Sequence, residues 1–152
     1  MSAPASIHAN ALLVGETGLL LRGPSGAGKS ALTLALMERT RDRGEFAALI
    51  GDDRVVLAAA GGRVVARGRP EIAGLIEVRN LGLVRVPYEP AAAIRGVVDL
   101  LAPEAAWPER HPEEKERCVE ICGVRLPRLL ARGGNDATTQ KILVFLRGLT
   151  SI

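Results

Sequence analysis

Aromatic residues make up only 3% of this 152-residue chain. An aromatic core is therefore excluded, and so is recognition of single-stranded nucleic acid by base stacking. No run reaches the roughly 18 apolar residues that a membrane span requires, and the N-terminus lacks a basic stretch followed by an apolar one. A cytoplasmic protein is expected. Cys118 and Cys122 are the only cysteines, too few for a structural zinc site on their own. They are expected as reduced, partly buried thiols, on one face if they share a strand. Lysine is confined to positions 29, 115 and 141, and no block of five basic residues occurs. The net charge of +3 thus suits an anionic ligand or an acidic partner better than nucleic acid. An Asn-Lys-x-Asp guanine reader is missing, which argues against a switch GTPase, and no internal repeat is evident.

What the chain does have is concentrated in residues 23–30. Gly23-Pro24-Ser25-Gly26-Ala27-Gly28-Lys29-Ser30 is a complete GxxxxGKS phosphate loop, placed after the apolar run Leu19-Leu20-Leu21 and before good helix formers at 31–39. Strand, glycine turn and helix in this order aim backbone N–H groups and a positive dipole end at one spot, where a polyphosphate binds. The glycines let phosphate oxygens approach the amides. Lys29 supplies a mobile charge for the outer phosphates, and the Ser30 hydroxyl is placed to ligand Mg²⁺. With 47% hydrophobic and 24% charged residues, residues 1–152 suit a single domain that buries about 70% of its unfolded surface in an aliphatic core.

Residues 7–14 and 19–22 read as two strands joined by the Gly15-Glu16-Thr17-Gly18 turn. The helix after the loop runs to about Arg43, where Gly44 ends it. Residues 46–50 form a short buried strand beside the first and end at the phosphates. A hairpin turns at Gly61-Gly62 between residues 55–57 and 63–65. Residues 70–77 read as a helical turn, 83–86 as a strand closed by Pro87, and 94–101 as another strand. Pro, Glu and Arg mark 102–116 as an exposed loop. Residues 119–126 are strand-like, and 136–147 form a terminal helix after Gly133-Gly134-Asn135. The expected class is α/β, a mixed sheet with several hairpins flanked by helices.

Asp52-Asp53 follows the second buried run directly. One carboxylate there can hold Mg²⁺ or its waters while its neighbour accepts a proton from an attacking hydroxyl; two acids in a row also form turns. Glu77, set in Ile76-Glu77-Val78-Arg79-Asn80-Leu81-Gly82, is either a Mg²⁺ ligand opposite Ser30 or a solvent-facing partner of Arg79. His8, upstream of the loop, is either structural or catalytic.

In this order, His8, GxxxxGKS, the Asp pair and Glu-Val-Arg-x-x-Gly resemble HPr kinase/phosphorylase, specifically its C-terminal catalytic domain in the short form without an N-terminal domain. The resemblance covers nearly the whole chain. It implies a P-loop domain similar to phosphoenolpyruvate carboxykinase and a protein serine kinase that uses ATP and Mg²⁺. The implied partner is HPr, the small phosphocarrier protein of the sugar phosphotransferase system. Many members also remove the seryl phosphate with inorganic phosphate and release pyrophosphate. A homo-oligomer, a hexamer, is implied, with neither nucleic acid nor membrane as partner.

On this likeness, Gly23, Pro24, Ser25, Gly26, Ala27, Gly28, Lys29 and Ser30 match the nucleotide site. Ser30 and Glu77 match the Mg²⁺ ligands, and His8 matches an active-site histidine. Asp52 is assigned as the acid/base and Asp53 as its metal-side neighbour, an order open to reversal. A family arginine in the mobile loop maps to Arg110, with Arg117 as the alternative.

The chain departs from the family at Ala31, usually Glu, and at Asn80, usually Gly. Leu130-Ala131-Arg132-Gly133-Gly134-Asn135 replaces a Pro-x-x-Pro-Gly-Arg-Asn stretch associated with dephosphorylation. Loss of the arginine at position 134, unless Arg132 substitutes, bears on the phosphorylase half and leaves the kinase half intact. The 102–116 loop and the turn near Gly133 are the candidate acceptor surface. Two rival readings are a kinase of small metabolites, which needs a lid of phosphate-facing arginines, and a nucleotide-sensing module without turnover.

Overall fold

Buried residues that alternate between two cores decide the architecture. The computed structural model describes residues 3–107 and 113–150. Strands β1 (Ala5–Val14) and β2 (Thr17–Arg22) form an antiparallel hairpin closed by Gly15 and Glu16. On β2, Leu19 and Leu21 enter one hydrophobic cluster while Leu20 enters another, and Leu12 and Ala11 of β1 divide in the same way. A strand buried on both faces needs apolar side chains at every position, so the run Leu19-Leu20-Leu21 is uninterrupted.

The first helix, α1 (Lys29–Asp42), follows the glycine loop and leads to β3 (Ala47–Gly51), β4 (Arg54–Ala60) and β5 (Arg63–Arg67). Next come a two-stranded unit of β6 (Leu75–Val78) and β7 (Gly82–Arg85), and the long strand β8 (Ala91–Leu100). The chain closes with β9 (Cys118–Ile121), β10 (Val124–Ala131) and α2 (Asp136–Thr150). The main sheet runs β2-β1-β4-β5-β8-β10-β9, with β3 bonded to β1. Because β2 also pairs with β8, strands β1, β4, β5, β8 and β2 close into a ring. β8 is parallel to β2 and to β10, while the other pairs are antiparallel, so the sheet is mixed as expected.

All five ring strands feed the second cluster, through Ala9, Leu20, Val55, Val64 and Ile94 among others. The first cluster joins the sheet to the helices through Leu12, Leu21, Leu36, Met37, Ile142 and Leu146. Leu20 is fully buried, and Leu20→Ala is expected to cost about 3 kcal/mol. A lower urea midpoint at unchanged slope would register that loss.

β3 and β4 lie along the same edge of β1. Ala11 faces Gly51 and His8 faces Arg54 in one continuous register, so Asp52 and Asp53 stand opposite Asn10 and Ala9.

Four expectations change. The helical turn at 70–77 shrinks to Pro70–Ile72, and Glu77 sits on β6, because Leu75, Ile76 and Val78 find strand partners on β7. The run at 119–126 is a hairpin, turned at Cys122 and Gly123 with φ 51 and 77. Cys118 therefore opens a strand while Cys122 occupies a turn, so they do not share a strand face; both are free and half-buried. β8 begins at Ala91, earlier than expected, by pairing with β5. Phe46 stays outside β3 and is exposed. Among the described residues, no helix is long and apolar enough to cross a membrane.

Candidate active site

β2 ends at Arg22 and hands the chain to the loop, and α1 opens at Lys29. Gly28 precedes the helix at φ 94, a left-handed value that a side chain would strain. No side chain caps this helix start, so its first N–H groups remain available to an anion. Lys29 is buried, and its Nζ donates to the Gly23 carbonyl at 2.9 Å and the Pro24 carbonyl at 3.4 Å. Burial lowers its pKa, against the opposing pull of Asp53 and Asp52.

The strand end feeding the loop is clamped. Arg22 gives Asp99 two hydrogen bonds, at 2.7 and 2.9 Å, and Arg128 Nε donates to the same carboxylate at 2.5 Å. Burial alone would raise the Asp99 pKa, but the two arginines outweigh it and hold the carboxyl below its usual range. A carboxylate with a depressed folded-state pKa stabilises above its unfolded value and loses that contribution as the pH falls through the folded one. Asp99→Asn is thus expected to destabilise by about 3 kcal/mol at pH 7. Urea melts should show its deficit shrinking below about pH 4, where the parent carboxylate also takes up a proton.

The two neighbouring aspartates have opposite surroundings. Asp52 is buried. Its Oδ1 accepts from Ser30 Oγ at 2.6 Å and from Asn10 Nδ2 at 2.9 Å, and its Oδ2 accepts from the Glu77 N–H at 2.9 Å. Asp53 has a side chain that is 67% exposed, with Oδ1 2.6 Å from His8 Nε2. With the carboxylate as acceptor, the shared proton sits on Nε2. Asp53 also has φ 65. In a regular strand successive side chains point to opposite faces, and this left-handed residue breaks the alternation so that both carboxylates line one cavity.

That cavity, about 470 Å³, lies between loop residues Ser25 to Ser30 and the group His8, Asp52, Asp53, Glu77 and Arg79. Of the two aspartates, Asp52 touches the loop serine and Asp53 is the outward one. Glu77 and Arg79 both line the cavity but form no ion pair with each other among the described residues. Asn80 has φ 67 at the tip of the β6–β7 hairpin, a conformation asparagine tolerates. Arg110 lies outside the described residues.

Gly133 presses on the loop from the other side: a Cβ there would lie 2.5 Å from the Ala27 carbonyl. Arg132 donates to the carbonyls of Ala102, Pro103 and Ala105 and lies 5.5 Å over the Trp107 ring. Its guanidinium is committed to residues 102–107. Gly134 has φ 105, where an arginine would be strained.

The oxygens of Ser30, Asp52 and Glu77 are hard donors, which fits Mg²⁺. Among the described residues, no group of three His, Cys, Asp or Glu could enclose an ion alone. Such a sparse set suits a cation that keeps waters and takes further oxygens from phosphates.

Sequence reading missed Asn10, Thr33 and the Asp99 clamp. Asn10 was signalled by being polar inside the apolar stretch Ala9-Asn10-Ala11-Leu12, since a buried amide needs partners. Asp99 carried no such signal, because its arginines are distant in sequence.

Strand, glycine loop and helix start face strand-borne carboxylates in a mixed α/β protein. Residues 1–129 match the family described as HPr Serine kinase C-terminal domain, and the chain belongs to that family. It is 30% identical over 164 residues to the HPr kinase/phosphorylase of Azoarcus, covering 96% of this chain and 50% of that protein. The HPr kinase/phosphorylase of Chlorobium phaeobacteroides is 32% identical over 130 residues, covering 79% of this chain and 36% of the relative. The chain therefore spans half or less of the length of these relatives. The fold is similar to that of the Hpr(Ser) kinase/phosphatase from Coxiella burnetii, with a TM-score of 0.74 at 22% identity, covering 95% of this chain and 89% of that one.

Proposed function

We propose that this domain is an ATP-dependent serine kinase acting on the phosphocarrier protein HPr. The observation that carries the reading is the placement of an outward carboxylate, Asp53, across one cavity from the phosphate loop. The loop amides and Lys29 hold the nucleotide phosphates, as in a P-loop domain resembling phosphoenolpyruvate carboxykinase. Ser30, Asp52 and Glu77 would hold Mg²⁺, which would neutralise phosphate charge there.

Asp53 takes the role of acid/base, and Asp52 becomes the metal-side residue. An entering hydroxyl can reach an exposed carboxylate, whereas Asp52 is buried beside Ser30. The acceptor seryl oxygen bonds to the terminal phosphorus as the bond to the leaving ADP oxygen breaks, and the seryl proton passes to Asp53. His8 orients the Asp53 carboxylate, and Lys29 offsets charge on the transferred group. A separate transfer, from the seryl phosphate to inorganic phosphate with release of the seryl hydroxyl and pyrophosphate, is the second activity implied by the resemblance. It is expected to be weak in this chain, because Arg132 is occupied and position 134 is glycine.

The test is mass spectrometry of purified HPr after incubation with this chain and ATP-Mg²⁺. One added phosphate on serine supports the reading. Transfer to small alcohols with none to HPr would favour a metabolite kinase, and ATP binding without turnover would favour a sensing module. The hexamer is checked by the mass of the protein in solution, and a cytoplasmic location by fractionation of cells that make it.

A further inference from the structure

Asn10 is fully buried on β1, and its amide is used on both ends. Nδ2 donates to Asp52 Oδ1 at 2.9 Å and to Thr33 Oγ1 at 3.1 Å, while Oδ1 accepts the backbone N–H of Asp53 at 2.8 Å. Thr33 donates its own proton to the Lys29 carbonyl at 2.8 Å, so at Asn10 it can only accept. The orientation of the amide follows: the nitrogen faces the oxygens of Asp52, Thr33 and, at 3.5 Å, Ser30, and the oxygen faces a donor. One side chain thus grips the carboxylate of the inner aspartate and the backbone of the outer one, where the chain turns left-handed, and ties both to the first turn of α1. Leucine or valine at this place would satisfy the core equally well but leave the Asp53 N–H and the Asp52 oxygen short of a partner. A buried amide retained there has a use other than packing.

We propose that Asn10 is a positioning residue for phosphoryl transfer: it keeps Asp52 turned in to Ser30 and Asp53 turned out to the acceptor hydroxyl. Asn10 does not touch substrate, and it acts through the two carboxylates. The inference rests on the kinase reading above.

The experiment compares the parent chain, Asn10→Ala, Asn10→Asp and Thr33→Val in transfer from ATP-Mg²⁺ to HPr, with ATP affinity read by a fluorescent analogue. Asn10→Ala is expected to lower kcat about 100-fold, as a misplacement of about 1 Å does, with KM for ATP and analogue affinity within about 3-fold of the parent. Asn10→Asp, which sets a second carboxylate against Asp52 and removes the donor, should lower kcat at least as far as Asn10→Ala, again with ATP affinity within about 3-fold of the parent. Thr33→Val, which removes the second anchor of Nδ2 without touching an aspartate, should lower kcat several-fold.

Transfer by Asn10→Ala within about 3-fold of the parent would overturn the proposal. So would a loss of kcat matched by an equal loss of ATP affinity, which is the mark of general damage. If neither Asn10 variant folds, Thr33→Val decides, and an unchanged kcat there refutes the positioning role. A parent chain that phosphorylates nothing on HPr fails the kinase reading itself and takes this inference with it, a result distinct from an active parent with an active Asn10→Ala.

Discussion

Replacing Asp53 by Asn should lower the rate of phosphoryl transfer to HPr by about 10³-fold while leaving ATP affinity within a few-fold, the size expected for loss of a general base. Access to the carboxylate matters before its charge does. Asp53 has a side chain that is 67% exposed, with one oxygen held by His8. Its other oxygen can meet an incoming hydroxyl, and asparagine preserves that geometry without a group able to take a proton. Asp52→Asn should behave differently. Its carboxylate is enclosed by Ser30, Asn10 and the Glu77 N–H, so the change disturbs the metal side, and the concentration of Mg²⁺ needed for half-maximal rate should rise several-fold. Steady-state rates across Mg²⁺ and ATP titrations separate the two. If Asp52→Asn abolished transfer at saturating Mg²⁺ while Asp53→Asn remained near parental rate, the roles proposed for the pair would have to be exchanged.

That pair also marks the limit of what the sequence could convey. The glycine loop, its strand and its helix were legible because each depends on local rules: a continuous apolar run, glycine at a left-handed position, and helix formers beyond it. The Gly61-Gly62 hairpin was legible for the same reason. Which of two adjacent carboxylates faces inward was not, because it depends on a single φ of 65 at Asp53, whose N–H donates to the side chain of Asn10 far earlier in the chain. Glu77 was expected on a helical turn but lies on β6, since short alternating segments gain strand character only when a partner such as β7 is present. The ring of five strands was equally hidden. Its closure is the parallel pairing of β2 with β8, and parallel partners distant in sequence leave no turn signal between them.

Lys29→Met should abolish measurable transfer, a fall of about 10³-fold or more, without destabilising the fold. Methionine keeps an unbranched stem in the buried position and removes the charge. In the parent, burial lowers the lysine pKa, which means that folding opposes the ammonium form. The sign follows from linkage: stability is held down while the amine is charged, and it rises as the pH climbs through the lowered folded-state value toward the ordinary lysine value near 10.4. The Met variant lacks that rise, and at pH 7 its thermal midpoint should equal or exceed the parent's. ATP affinity should fall as well, because the ammonium is bonded to Gly23 and Pro24 carbonyls that it can exchange for phosphate oxygens. Thermal melts at pH 7 and pH 10 together with the transfer assay check all parts. A variant that lost activity and more than about 2 kcal/mol of stability together would place Lys29 among the residues that hold the loop's shape.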